Sequence, residues 1–340
     1  MAAAESVKTP RRRLGLLPRR RSAIAQRRAD EGESPRTIVI ALLANLVIAA
    51  AKLVAGLISR SSGLIAEAAH SAADCVNEVF LAVGLYRDRQ PPDEDHPFGH
   101  GRERFLWAFM AALASFLIGG CLSIAIAISR LRSAHAIESG VLPWVVLAVA
   151  FVADGSSWLQ AMRQARTQAK DYGLSVGRYI SRASDPVVRA VLVEDSAALA
   201  GLVLASGGLA LTTILGTSVP DSIASLLIGV LLAATAFWLA RPFADFLVGR
   251  SIPEPQLQQL YGIVESDPAV AEILSLRAIY SGPEEVVVLA KVRPSTSDDG
   301  RRLGPRMDEL DRKIREALPY VADVYIDVTD RSREDGRATS

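Results

Sequence analysis

Long apolar segments constrain the fold of this chain more than any other feature. Six of them, near residues 37–58, 63–86, 105–130, 141–161, 187–214 and 221–247, are as long as a helix that crosses a bilayer, which needs about 20 residues. Half of all residues are hydrophobic, and they are concentrated in these blocks. The sequence therefore predicts an α-helical membrane protein with six transmembrane helices in residues 36–250.

The regions outside these spans differ in composition. Residues 1–35 are polar and rich in arginine, which predicts a disordered basic tail that either sets the topology or rests on anionic lipid; we favour the topology signal. Residues 251–330 contain helix and strand patterns in the order αββαβ, which predicts a small α+β, ferredoxin-like domain. Residues 331–340 predict a second disordered tail.

Basic residues are distributed unevenly among the connections. Arg87, Arg89, Arg102 and Arg104 lie between spans two and three, and a further basic cluster lies between spans four and five. The positive-inside rule then places both termini in the cytoplasm of a multi-pass protein of the cell membrane. A net charge of +1 predicts no nucleic-acid partner. We find no nucleophile elbow, phosphate loop or cofactor fingerprint, so we do not expect an enzyme.

Ionisable residues inside the apolar blocks are the candidate functional residues. His70 and Asp74 are four residues apart, so they lie on one face of the span-two helix, and Glu67 and Asn77 continue that face. Charged groups at membrane depth are costly and usually face a cavity or a partner. An imidazole and a carboxylate at this spacing supply half of a tetrahedral site for a divalent metal such as Zn²⁺.

Three further acids of the apolar blocks are candidate functional residues. Glu194 and Asp195 are adjacent in span five, and they point about 100° apart on a helix, so both need not face one site. We expect one or both to complete the span-two metal site, and the alternative is a structural ion pair with Lys52. Asp154 in span four either lines the cavity, where it would relay protons, or pairs with Lys52; both alternatives stay open.

The loop after span two is a second candidate metal site. It contains Asp93, His96 and His100 within a short acidic stretch, and carboxylate and imidazole groups in such a loop are ligands for zinc. The alternative is an acidic turn rich in proline and glycine, whose histidines are solvated. Composition alone leaves both interpretations open.

Together these features resemble the cation diffusion facilitator family over nearly the whole chain after the N-terminal tail. The resemblance depends on the six spans, the His70-x-x-x-Asp74 pair, the αββαβ tail and, most specifically, the run His96-Pro97-Phe98-Gly99-His100-Gly101. It implies a homodimer that exchanges cytoplasmic divalent metal for protons, with a tetrahedral site shared between spans two and five. Residues 251–330 would then be the cytoplasmic dimerisation domain.

The resemblance also implies roles for individual residues. His70 and Asp74 match the span-two ligands, and a His-Asp pair there is similar to that of the zinc-selecting members. Asp93, His96 and His100 match a secondary cytoplasmic site. The expected cargo is therefore Zn²⁺, which would also bind in the loop.

Span five and the tail depart from the usual family pattern. Most members have His or Asp followed four residues later by Asp, whereas Glu194 is followed by Ala198 and Asp195 by Leu199. The run Glu-Asp-Ser-Ala-Ala resembles the branch that includes zinc transporter 9. The tail contains no histidine or cysteine, so we do not expect the binuclear zinc site that some members carry there.

The expected function is proton-coupled efflux of Zn²⁺ by alternating access. One alternative keeps the fold and transports Mn²⁺, Fe²⁺ or Co²⁺, which additional oxygen ligands would favour. The other is a membrane scaffold that transports nothing and whose buried polar groups only lock helices together.

Overall fold

The computed structural model of the protein describes residues 35–132, 140–171, 175–177, 186–283, 285–295 and 300–329. The membrane domain begins with α1 (Pro35–Ser59) and α2 (Ser62–Arg87). A third segment follows, in which α3 (Glu103–Ala114), a π-helix (Ser115–Cys121) and α4 (Leu122–Arg132) are continuous. The remaining helices are α5 (Val141–Asp171), α6 (Pro186–Leu215) and α7 (Val219–Val248). These helical segments coincide with the apolar spans of the sequence. Apart from Pro35, the two predicted disordered tails lie outside the described residues.

Five of these segments are long and apolar enough to cross a membrane, counted over the described ranges. The segment left out is α2, which contains Glu67, His70, Asp74 and Glu78. It contacts α1, the third segment, α6 and α7, and 13 of its 26 residues are buried. Because its neighbours surround it, α2 carries polar groups that would be costly on a helix facing lipid.

The surrounding helices present apolar side chains outward. Val47 on α1, Val152 on α5 and Ile214 on α6 are 68%, 71% and 77% exposed. Inside, the helices pack through a buried cluster in which alanines, among them Ala55 and Ala150, alternate with leucines. This inverted pattern, with large apolar groups outside and small or polar groups inside, is typical of a membrane bundle.

A π-helix interrupts the third segment, and nothing in the sequence predicted it. Gly120 in this π-helix allows α7 to approach closely, since a Cβ at that position would lie 2.9 Å from the Cβ of Ala233. The widened turn begins at Ser115, which faces the polar side of α2. π-helical turns are rare and are found frequently at functional sites.

The N-terminus of α2 is capped by its own residues and by α7. Ser61 Oγ accepts a hydrogen bond from the Leu64 N–H at 3.2 Å, as in an ordinary N-cap. The buried carboxylate of Asp221 accepts hydrogen bonds from the hydroxyls of Ser61 and Ser62, each at 2.6 Å, and from the backbone N–H groups of Ser62 and Gly63. Asp221 therefore fastens this end of α2 to α7.

The C-terminal domain has the element order predicted from the sequence. It comprises α8 (Glu254–Glu265), β1 (Val270–Gly282), β2 (Glu285–Pro294), α9 (Gly300–Ala317) and β3 (Val321–Val328). Strand β2 is central, antiparallel to β1 and parallel to β3, and α9 supplies the crossover that a parallel pair requires. Leu260 and Val264 of α8 and Leu310 and Ile314 of α9 are fully buried against the sheet.

Aromatic rings join this domain to the membrane helices. Phe105 of α3 stacks on Phe246 of α7 with centroids 4.6 Å apart, and Tyr280 of β1 meets Phe246 edge-on at 5.2 Å. Phe98, in the loop before α3, contacts Tyr325 of β3 edge-on at 6.1 Å. The loop with the candidate zinc ligands therefore lies at the junction of the two domains.

Candidate metal centre

His70 and Asp74 adjoin one another on the enclosed face of α2. The distance between His70 Nδ1 and Asp74 Oδ1 is 3.4 Å, and the His70 side chain is 4% exposed. Within the described part of the chain, His70 Nε2 and Asp74 Oδ1 are buried and make no hydrogen bond. Buried polar atoms nearly always have a partner, so these two atoms are available to bind a ligand.

Glu194 of α6 faces the same region. Asn77 Nδ2 donates to Glu194 Oε1 at 2.7 Å and to Ser115 Oγ at 2.6 Å, so one amide fixes groups from α6 and from the π-helix. His70, Ser115 and Glu194 line a cavity of about 10 Å³ that apolar residues of α7 close. That volume holds about one water molecule, and it adjoins three ligand-type side chains.

Asp195 points away from this cavity. Its Oδ2 accepts a hydrogen bond from Ser157 Oγ of α5 at 2.9 Å, while its neighbour Glu194 faces the cavity. The divergence is the one expected for adjacent helical residues. Asp195 nevertheless lies close enough to Asp74 for their charges to repel.

Lys52 makes its contacts elsewhere. Its ammonium lies 3.3 Å from Glu67 Oε2, 3.5 Å from Asp154 Oδ2 and 2.9 Å from Ser71 Oγ. The pairing of Asp154 with Lys52 is therefore confirmed. The alternative in which Lys52 neutralises the span-five carboxylates is wrong, because α2 and α5 occupy its ammonium.

The loop residues Asp93, His96 and His100 form a compact group. Each offers one ligand atom within 4.8 Å of the others, and no second group of this kind exists among the residues that the structure describes. His96 Nδ1 lies 3.1 Å from Asp93 Oδ1, and His100 Nε2 lies 3.1 Å from Asp93 Oδ2. His70, Asp74, Glu194 and Asp195 are not drawn together as tightly.

Glu103, which the sequence analysis missed, orients His100. Its Oε1 lies 2.7 Å from His100 Nδ1, an arrangement that fixes a ring nitrogen and leaves Nε2 for a metal. The hydrogen bond to Glu103, with Asp93 adding to it, raises the pKa of His100. The backbone N–H of His96 lowers the pKa of Asp93. These contacts favour the carboxylate form of Asp93, which binds metal, and the protonated form of His100, with which a metal competes.

Three more polar residues of the membrane domain went unpredicted. Asn45 of α1 donates a hydrogen bond to the Glu78 carboxylate of α2, and Ser115 lines the cavity. The four-residue spacing from Asp74 to Glu78 was a readable signal. Ser115 gave none, because a π-turn shifts the face that a residue presents.

Comparison with known proteins gives the same family as the motifs. The family model of the cation efflux transmembrane domain matches residues 38–248. The proton-coupled zinc antiporter SLC30A9, mitochondrial, of Xenopus laevis is 34% identical over 257 residues, which are 76% of this chain and 46% of the relative. Metal tolerance protein C4 of Arabidopsis thaliana is 30% identical over 254 residues, 75% of this chain and 56% of the relative.

A more distant relative carries a different metal in its name. The manganese efflux system protein MneP of Bacillus subtilis is 24% identical over 255 residues, 72% of this chain and 79% of its own length.

The chain spans about half the length of the SLC30A9 and C4 relatives. The family match covers more than half of the chain, and its members are transporters and not enzymes. This chain is a multi-pass membrane protein of the cation efflux, or cation diffusion facilitator, family and belongs to its SLC30A9-like branch.

Proposed function

We propose that the protein is a proton-coupled efflux transporter of divalent metal, with Zn²⁺ as its main substrate. The observation that carries this proposal is that, among the described residues, buried His70 Nε2 and Asp74 Oδ1 make no hydrogen bond, and that His70 lines a cavity together with Glu194. Mixed nitrogen and oxygen ligands suit zinc. The names of the SLC30A9 relatives, proton-coupled zinc antiporters, support the same substrate.

Proton coupling follows from the chemistry of the ligands. A histidine binds metal only when neutral, and a carboxylate only when ionised, so binding of the metal from the cytoplasm displaces protons. When the site opens to the opposite side, protonation of His70 weakens it and releases the metal. Metal efflux and proton uptake are thus two directions of one exchange, which we expect to proceed by alternating access.

The architecture proposed for this activity is a homodimer with six spans per chain. Helix α2 is span two, the segment that is not apolar enough to be recognised as a membrane helix by composition, and it is tolerated in the membrane because its neighbours enclose it. Residues 36–250 form the transmembrane domain, and residues 251–330 form a ferredoxin-like cytoplasmic dimerisation domain, for which the αββαβ order is the support. Both termini, including the basic tail, face the cytoplasm, and the protein resides in the cell membrane.

The loop group of Asp93, His96 and His100 is proposed to bind Zn²⁺ on the cytoplasmic side. Its ligand atoms are already within 4.8 Å of one another, and Glu103 orients His100. A loop at the domain junction can bind metal before transport or sense its concentration. Its chemistry fits zinc, since imidazole and carboxylate groups are zinc ligands.

Manganese is the second candidate substrate. Asp74 and Glu194 supply two carboxylates near the single imidazole of His70, and oxygen-rich sites favour harder ions. The relative MneP is named for manganese efflux. The same flux assay, run with each metal in turn, distinguishes these substrates.

The decisive experiment measures zinc-driven proton movement in proteoliposomes. We expect His70→Ala to lower the flux at least about tenfold, since removal of even an outer-shell partner costs that much. Glu194→Ala tests whether α6 supplies a further ligand, because Glu194 is the α6 carboxylate that lines the cavity. Thr213→Val is the matched control, because its exposed hydroxyl bonds only to the Leu209 carbonyl of its own helix. Flux with Mn²⁺ but not with Zn²⁺ would show that Mn²⁺ is the substrate. No flux with any metal from a folded protein would favour the scaffold and contradict the proposal.

A further inference from the structure

A second polar cluster lies beside the metal centre, centred on the buried ammonium of Lys52. Three oxygens surround this ammonium: Ser71 Oγ at 2.9 Å, Glu67 Oε2 at 3.3 Å and Asp154 Oδ2 at 3.5 Å. Helices α2 and α5 supply these oxygens, and α1 supplies the cation. We name Glu67, Ser71 and Asp154 the oxygen cradle.

Glu67 has spare capacity to bind a cation. Its side chain is 0% exposed, and its Oε1 has no hydrogen-bond partner in the described residues. That oxygen fits against α6 only because position 201 is glycine, where a Cβ would overlap it. Two carboxyl groups face one ammonium in the cradle, so one carboxyl group has no cation of its own, and a buried acid of this kind takes up either a proton or a cation.

The cradle would select cations differently from the metal centre. It offers only oxygen atoms, which are the ligands that harder ions such as Mn²⁺ prefer, whereas the imidazole of His70 suits zinc. Glu67 and His70 are three residues apart on one face of α2. A metal that entered the cradle would therefore sit within about one helical turn of the transport site.

We propose that Lys52 is a specificity-determining residue whose ammonium acts as a tethered cation, filling the oxygen cradle and keeping divalent metal out of it. This inference rests on the proposed function. By occupying the cradle, Lys52 confines the transported ion to the site that contains His70, and thus disfavours ions that would bind to oxygen atoms alone.

The test is an equilibrium titration with Mn²⁺ on the full-length protein in detergent. Lys52→Met removes the charge and preserves the length of the side chain, and we expect it to bind one more equivalent of Mn²⁺ per chain than the wild type. Lys52→Arg keeps the charge and should bind the same number as the wild type. The double variant Lys52→Met/Glu67→Gln should lose the additional equivalent, which would locate it in the cradle.

Each outcome decides the role of Lys52. An unchanged number of Mn²⁺ equivalents in folded Lys52→Met would overturn the proposal. If Lys52→Met does not fold, Lys52→Gln gives the same test, because its amide still donates to Glu67. If neither variant folds and added Mn²⁺ does not restore folding, Lys52 is only a structural counter-ion, and the proposal is overturned as well.

The same experiment separates this inference from the proposed function. Mn²⁺ binding is measured without a membrane gradient, so it does not depend on transport. A wild type that transports no divalent metal refutes the proposed function. A wild type with zinc flux, beside a Lys52→Met variant that gains no Mn²⁺ site, refutes only the role of Lys52. When both are correct, Mn²⁺ should inhibit zinc flux in Lys52→Met at concentrations at least tenfold lower than in the wild type.

Discussion

At the scale of single residues, Asn77 has more influence on the metal centre than its chemistry suggests. It is not a charged group, yet its amide donates to Glu194 and to Ser115 and so holds α6 and the π-helix around one cavity. We predict that Asn77→Leu weakens zinc binding about 10- to 100-fold, the usual cost of losing a group that orients a ligand. Competition with a fluorescent chelator in detergent measures this affinity.

Thr235→Val provides the comparison for that prediction. Thr235 lines the same cavity, but its hydroxyl bonds to the Leu231 carbonyl of its own helix, so the substitution should leave zinc affinity unchanged. Equal affinities for Asn77→Leu and Thr235→Val would show that Glu194 does not depend on Asn77, or that Glu194 is not a ligand.

His100 makes the loop sensitive to pH. Its raised pKa means that, in protein stripped of metal by a chelator, the ring titrates above the ~6.5 of a free histidine. We predict that Glu103→Gln lowers this midpoint, as followed by NMR of the imidazole protons. His96→Gln, used to assign the signals, should leave the midpoint above that of free histidine. An unaltered midpoint in Glu103→Gln would contradict the role of Glu103.

The sign of the pH effect on stability follows from the same shift. A histidine whose folded-state pKa exceeds its unfolded value stabilises the fold at acidic pH, and the contribution is lost as the pH rises through the folded-state pKa. Zinc binding has the opposite dependence, because metal and proton compete for the ring. Loop affinity for zinc should therefore fall as the pH drops below the raised pKa of His100.

At the scale of elements, the sequence predicted features that depend on periodic patterns and missed features that depend on a single contact or a single turn. The apolar helical segments, the polar face of α2 and the αββαβ order can be predicted because helix and strand periodicity place many residues at a time. The partner of Lys52 was left open, since its contacts join α1 to α2 and α5. The π-helix and the choice between Glu194 and Asp195 depend on the rotation of one helix, and a single sequence carries little information about that.

Asp221 shows how one side chain can fix the position of a helix. Its carboxylate compensates N–H groups at the start of α2 that have no partner within that helix, and it lies 1% exposed. We predict that Asp221→Ala destabilises the protein by about 3 kcal/mol, because it removes several charge-assisted hydrogen bonds and leaves their donors buried. Thermal unfolding in detergent measures the loss.

Asp245→Ala is the matched control for this substitution. Asp245 lies on the same helix α7 but is exposed, so its removal should leave the unfolding temperature nearly unchanged. If Asp221→Ala and Asp245→Ala unfold at the same temperature, the junction between α2 and α7 does not depend on the carboxylate.

At the scale of the whole molecule, the two domains meet where the candidate loop metal site lies. Phe98 belongs to the loop and contacts Tyr325 of β3, while α7 contacts Tyr280 of β1 through Phe246. Exposed large apolar side chains are concentrated on the membrane helices. A change in the loop can therefore be transmitted directly to the C-terminal domain, without passing through the membrane helices.

Gly101 is the closest point of this junction, and it gives the last prediction. A Cβ at this position would lie 2.5 Å from the Ser281 carbonyl oxygen and 3.2 Å from Gly282 Cα, distances at which backbone must move. We expect Gly101→Ala to separate the loop from the sheet and to increase hydrogen exchange in residues 280–282 several-fold, with the cores of both domains unaffected. Gly262→Ala, on α8 with open space around it, is the control and should change nothing there. Because the loop also carries His100, the same separation should weaken zinc binding to the loop; exchange rates equal to those of the wild type would show that the domains do not depend on this contact for their docking.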